Sequence, residues 1–210
     1  MTPILLKLGV IAIGLVIWFL TQKLIAGKVE AGGAINDLAH RLTARWHRYF
    51  LDHPKVTDRV LITTSLGIDV LCLSLIAMAV FGPTFKPALA IIIVFAMRQI
   101  TQMCCTLPFP PDYIWRHPGF PSLLVTYGVS NDFFFSGHTA LAVLAAIEIS
   151  QQAPWWIGAP VIAIAAAEAL IVLILRAHYT MDVLTGALAA WFAADIAGRC
   201  APWVDGWLSA

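Results

Sequence analysis

An all-α bundle built in lipid is the fold class this sequence predicts, and three observations predict it. Of the 210 residues, 60% are hydrophobic and only 12% are charged. Mean hydropathy is +0.83, and six long apolar stretches follow one another along the chain. A soluble domain carries about 25% charged residues. This chain has too little polar surface to cover itself in water, so its solvent is lipid. The expectation is an integral membrane protein: a six-transmembrane-helix bundle with an amphipathic interfacial helix between helices 1 and 2.

The first stretch, Ile4–Ile25, is too long for a signal peptide and lacks a basic n-region or a small-x-small cleavage site, so it reads as a retained span. Lys28 to Arg59 is polar and basic. Within it Ile35, Leu38, Leu42, Trp46, Tyr49 and Phe50 fall close to helical spacing, the pattern of an amphipathic helix lying in the interface. Val60–Phe81 and Pro87–Leu107 each approach the ~20 residues that cross a hydrocarbon core. The connection that follows, "LPFPPDYIWRHPGFPSLLVTYGVSND", is too rich in proline to be helical throughout. Long loops of this kind in compact domains are often functional.

Phe135–Ser150 is short, which suits a helix that begins at an interface or a cavity. Trp155–Leu175 and Tyr179–Ala197 complete the set. Trp155 and Trp156 precede the fifth span, and Trp203 and Trp207 follow the sixth, as an aromatic belt requires. Gly186, Ala190, Ala194 and Gly198 recur every fourth residue, a stripe that admits a neighbouring backbone. The chain therefore reads as one membrane domain, 1–210, with 1–59 supplying the first span and the interfacial helix and 60–198 the catalytic bundle. Cys72, Cys104, Cys105 and Cys200 lack metal-ligand spacing and read as small core residues. Net charge is +1 and no basic, aromatic-interleaved stripe appears, so nucleic acid is not an expected partner.

Counting alternate crossings gathers the basic first loop, the proline-rich loop and the junction between spans five and six at one face. There His138 opens span four, His178 closes span five and Asp182 opens span six. "RAHYTMDV" sets His178 and Asp182 four residues apart. If the junction stays helical, the carboxylate accepts from an imidazole N–H and fixes its tautomer. Two histidines, one backed by an aspartate, suit a nucleophile and a general acid. Interfacial histidines making helix-end hydrogen bonds are the plainer alternative. Convergence on one face, beside Ser136 and Gly137, favours the reactive one. Deeper in the same bundle, Asp69, Arg98, Glu148 and Glu168 each lie about ten residues inward, roughly 15 Å. Four ionisable residues at one depth are expected to face one another or a wet cavity, either as a polar plug or as the floor of a headgroup site.

These residues carry a resemblance. "RQITQMCCTLP", "NDFFFSGHTA" and "HYTMDV" occur in that order, and together they resemble the motifs of sphingomyelin synthases. Those are six-span lipid phosphotransferases of the wider type 2 phosphatidic acid phosphatase superfamily. The likeness covers Val60 to Gly198. The phosphatase branch's second arginine is absent, since Val172 holds that position. The resemblance implies that a phosphoryl headgroup, phosphocholine or phosphoethanolamine, moves from a glycerophospholipid to a lipid alcohol such as ceramide or diacylglycerol. In that scheme His178, oriented by Asp182, forms a phosphohistidine while His138 serves as acid and base, with no metal or other cofactor. Ser136, Gly137, Thr139, Arg98, Tyr179, Asp132, Arg176, Glu148 and Glu168 are the expected substrate-binding set. Hydrolysis with water as acceptor, and a non-catalytic lipid-binding or transport bundle, are the alternatives.

The compact loops point to a bacterial inner membrane. On sidedness two indications conflict. Lys and Arg crowd the reactive face, from Lys23 and Lys28 through Arg41, Arg45, Arg48, Lys55 and Arg59 to Arg116 and Arg176, which places that face in the cytoplasm. The family resemblance places it outside.

Overall fold

The computed structural model describes residues 3–27, 33, 35–125, 127 and 134–209. Among them the chain forms helices and no strands. The order is α1 (Pro3–Ala26), α2 (Leu38–Leu42), α3 (Ala44–Asp52), α4 (Pro54–Phe81), α5 (Lys86–Cys104), α6 (Gly137–Gln152), α7 (Trp155–Ile174) and α8 (Thr180–Ser209).

Proline punctuates these boundaries. A proline ring disfavours helical backbone in the residue before it, so α3 stops short of His53 and α4 starts with Pro54 at its first position. Gly82 and Pro83 close α4, and Pro87 sits in the first turn of α5. Five helices, α1, α4, α5, α7 and α8, are long and apolar enough to cross a membrane. The chain is an integral membrane protein on that ground.

The expected six spans, the fourth of them short, need correction at three places. The fourth segment, α6, has 16 residues, about 24 Å of helix, and falls short of a full span. Helix α4 begins six residues before Val60, and α8 runs on to Ser209 rather than ending at Ala197. The single amphipathic helix is also replaced by two short ones that break at Thr43. Their apolar row points away from the bundle, with Leu38 60%, Leu42 74% and Trp46 56% exposed, while His40, Thr43 and His47 face inward and are buried.

Antiparallel order gives the bundle two ends. The near end collects the close of α1, all of α2 and α3, the starts of α4, α6 and α8, the close of α5 and α7, and the described residues between α5 and α6. The far end is tied by Asp205, which accepts from Thr84 Oγ1 and from the Phe85 amide, both at 2.7 Å. Lys86 meets Glu148 there at 3.0 Å and donates to Gln151 at 2.7 Å. Helix α6 is the axis of the molecule and packs on α4, α5, α7 and α8. Its alanines meet those of α8 in one core. Lipid gives no hydrophobic drive for helices to associate, so close contact between small residues supplies the packing energy instead. Of the predicted stripe, Gly186, Ala190 and Ala194 are buried and Gly198 is exposed. Trp155, Trp156, Trp203 and Trp207 are all exposed at the far end.

Candidate functional site

The mouth of α6 is built by its own sequence. Ser136 caps the helix, its Oγ accepting from the Thr139 amide at 3.3 Å and from Thr139 Oγ1 at 3.0 Å, which satisfies one of the open amides of the first turn. Gly137 is required by a close approach: a Cβ there would lie 3.2 Å from Arg98 Nε. That guanidinium donates from Nε to the Phe135 carbonyl at 2.9 Å and from Nη1 to Gln102 at 3.5 Å. A full positive charge thus lies beside the positive end of the helix dipole. Gly186 of α8 allows a second approach, since its Cβ would stand 2.7 Å from the Ser136 carbonyl.

Between α7 and α8 the chain turns sharply, with Arg176 at φ 55°. His178 therefore lies in a turn, and the helical route from His178 to Asp182 does not form. Asp182 sits in the first turn of α8. Its Oδ2 accepts from the Tyr179 amide at 2.9 Å and stands 3.6 Å from His178 Nδ1, a contact longer than a hydrogen bond. The Ser136 amide donates to the Asp182 carbonyl at 3.1 Å, which joins the two motifs through the backbone. His138 presents its ring edge-on to Trp115 at 5.0 Å, and His178 and Arg98 stand near enough to act on it electrostatically. Among the described residues no hydrogen bond reaches His138 Nε2 or Asp182 Oδ1. The structure thus brings His138, His178, Asp182, Arg98, Ser136, Gly137 and Thr139 to one end of the bundle. Two imidazoles, a guanidinium and a helix N-terminus suit a tetrahedral anion.

Other expected members lie elsewhere. Asp132 is outside the described residues. Arg176 donates to the Pro111 carbonyl at 2.9 Å and pairs with Asp112 at 3.4 Å, so it staples the proline-rich loop. Tyr179 is buried against His40, ring centroids 5.5 Å apart. The charged layer does not assemble. Asp69 accepts from Ser122 Oγ and from the amides of Leu123 and Leu124, at 2.9–3.1 Å, while Arg98 binds a backbone carbonyl. Glu148 belongs to the far end with Lys86. Glu168 is 4% exposed beside Gly67, whose Cβ would lie 3.5 Å from Glu168 Oε1. Depth along a helix was the basis for grouping the four, and depth leaves the direction around the helix axis open. Among the described residues no group of three or more His, Cys, Asp or Glu is placed to hold a metal.

Sequence reasoning missed a contact set on the short helices. Asp37 accepts from the Thr180 amide at 2.7 Å and from Thr180 Oγ1 at 2.8 Å. It also caps α2 through the His40 amide at 3.2 Å. Burial pushes the Asp37 carboxyl up, but the bonds from Thr180 and His40 outweigh it and hold it below the usual carboxylate range. His40 Nε2 donates to the His178 carbonyl at 2.9 Å, and His47 Nδ1 to the Ile174 carbonyl at 2.8 Å. The signal available was the pair of histidines two turns apart on the polar side of the segment.

No curated protein and no solved structure matches the chain. Residues 36–199 match a family described as AtPDCT1/2. That match corrects the resemblance to sphingomyelin synthases and type 2 phosphatidic acid phosphatases. Two histidine motifs at this spacing meet the demands of moving a lipid headgroup, and they do not separate one family with that activity from another. With the matched region taking in α2 through most of α8, the chain belongs to the AtPDCT1/2 family.

Proposed function

We propose that the protein transfers phosphocholine between phosphatidylcholine and diacylglycerol. The observation that carries this reading is membership over residues 36–199 of a family whose name stands for phosphatidylcholine:diacylglycerol cholinephosphotransferase. The near-end geometry supports it. In the proposed cycle His178 Nε2 attacks the phosphorus of phosphatidylcholine. The bond from phosphorus to the glycerol oxygen breaks, and His138 gives that oxygen a proton, releasing diacylglycerol. A second diacylglycerol then loses its hydroxyl proton to His138 and attacks the phosphohistidine, which frees His178. Arg98 and the first turn of α6 offset charge on the phosphoryl oxygens. Phosphoryl transfer depends chiefly on such positioning and charge stabilisation, and an acid–base group contributes about 10²–10⁴-fold.

The test uses purified full-length protein in phosphatidylcholine vesicles with labelled diacylglycerol. Transfer is expected to move the label into phosphatidylcholine and to release no free phosphocholine. Absence of labelled phosphatidylcholine, or accumulation of phosphocholine, overturns the reading, and the latter outcome makes water the acceptor.

A further inference from the structure

Helix α8 starts at the reactive junction, yet its first amide is closed from outside its own sequence neighbourhood. The Thr180 N–H and hydroxyl both point to the carboxylate of Asp37, 143 residues earlier. From the same turn of chain, His40 holds the His178 carbonyl at 2.9 Å and lays its ring against Tyr179. Three consecutive residues of the junction, His178, Tyr179 and Thr180, are thus gripped by one short external element.

We infer that Asp37 and His40 are positioning residues for His178, acting as a clamp that sets the height and rotation of its imidazole. This rests on the reading that His178 attacks phosphorus. Three observations argue for it. Asp182 stands 3.6 Å from His178 Nδ1, beyond a hydrogen bond, while His40 and Asp37 bond the His178 carbonyl and the amide two residues on. The turn holding His178 begins at Arg176 in the left-handed region, a conformation that persists only where its surroundings impose it. The family match also opens at residue 36, so it includes the clamp and leaves out α1. A carboxylate accepting two bonds from one residue is geometrically stiff, and such charge-assisted bonds are about twice as strong as neutral ones. A displacement of about 1 Å at a reacting group can cost ~10² in rate.

The experiment compares wild type with Asp37→Asn in phosphatidylcholine nanodiscs, with Leu42→Ala as a control on the exposed side of the same helix. Asp37→Asn is expected to lower kcat by about 10- to 100-fold. KM for diacylglycerol is expected to stay within about twofold, because the clamp does not touch substrate. Independently of activity, imidazole resonances of His178, identified by their loss in His178→Gln, are expected to shift in the Asp37→Asn variant at constant pH. If Asp37→Asn does not fold, His40→Phe keeps the ring against Tyr179, removes the donor and gives the same two readings. Unchanged kcat in the folded variant, or an unmoved His178 resonance, overturns the clamp. Failure of wild type to move label overturns the transferase reading instead and leaves the resonance to test the clamp alone.

Discussion

At the far end of the bundle, Glu148 is fully buried and meets Lys86 at 3.0 Å, while both oxygens of Asp205 take donors from the α4–α5 connection. At the near end, burial is as deep, but the bonds fall on backbone. Ser136 and Asp182 join through main chain, Arg98 holds the Phe135 carbonyl, and His40 holds the His178 carbonyl. His138 Nε2 and Asp182 Oδ1 take no partner among the described residues. A buried polar atom left in that condition costs about 1–3 kcal/mol. Charges at the far end are paired across helices, through Lys86 and Glu148 Oε1 and through Asp205, although Glu148 Oε2 takes no hydrogen bond there among the described residues. Those at the near end are held in place by their surroundings, with side-chain atoms spare for another molecule.

Substitutions can break this contrast. His178→Ala is expected to take transfer down by about 10⁴-fold or to background, with the folded fraction unchanged; label transfer and thermal unfolding measured on the same sample check both halves. His138→Gln is expected to cost about 10²–10⁴-fold in kcat. At the far end the balance reverses. Lys86→Met strands the Glu148 carboxylate, with an expected loss of about 3–5 kcal/mol in stability. Transfer per folded molecule should stay within about threefold, and adding Glu148→Gln should return part of the stability. A Lys86→Met variant that unfolds like wild type would show that the pair holds nothing.

Much of this organisation was legible in the sequence, and the parts that were not share a physical reason. Five spans announced themselves because an apolar run of about 20 residues has no other solvent than lipid. His138, His178 and Asp182 were expected at one end of the bundle because motif spacing fixes their order and face, and the structure places them together there. Asp37 and His40 were passed over because their partners are backbone groups 143 and 138 residues away, and any residue type offers the same amide and carbonyl. The fourth stretch was already legible as short, and its start was misjudged by only two residues because the phenylalanine run does not reveal that the helix opens after Ser136. Arg98 illustrates a mixed case. It was expected deep in the bundle within a charged layer, whereas it lies at the mouth of α6, where the absence of a side chain on Gly137 lets it reach the Phe135 carbonyl.

Two smaller effects sharpen the comparison. Gly186→Ala drives a methyl to 2.7 Å from the Ser136 carbonyl, so α6 and α8 must separate. The expected cost is about 1–3 kcal/mol, with a fall in transfer that Ala190→Gly, a few residues deeper, should not produce. Parallel unfolding and transfer assays decide this. Burial of the His47 ring lowers its pKa, offset only in part by its bond to the Ile174 carbonyl. Its folded value therefore lies below the unfolded one. The stability it contributes is full above pH 6.5 and is lost as pH falls toward the folded value. Unfolding midpoints at pH 7.5 and 5.5 should differ less in His47→Gln than in wild type.

Helices α5 and α6 are level at the far end, where Lys86 reaches Gln151, and again where Arg98 reaches Phe135. Helix α5 then climbs six residues further to Cys104, about 9 Å, while α6 has already stopped. The mouth of α6 is sunk by that amount beneath the rim of its neighbour. A diacylglycerol has one hydroxyl to keep wet and rides lower in a leaflet than a phospholipid does. Under the transfer proposed above, a sunken mouth lets that alcohol meet phosphorus near its own resting depth, so the zwitterionic donor makes the longer descent and the acceptor hardly has to rise.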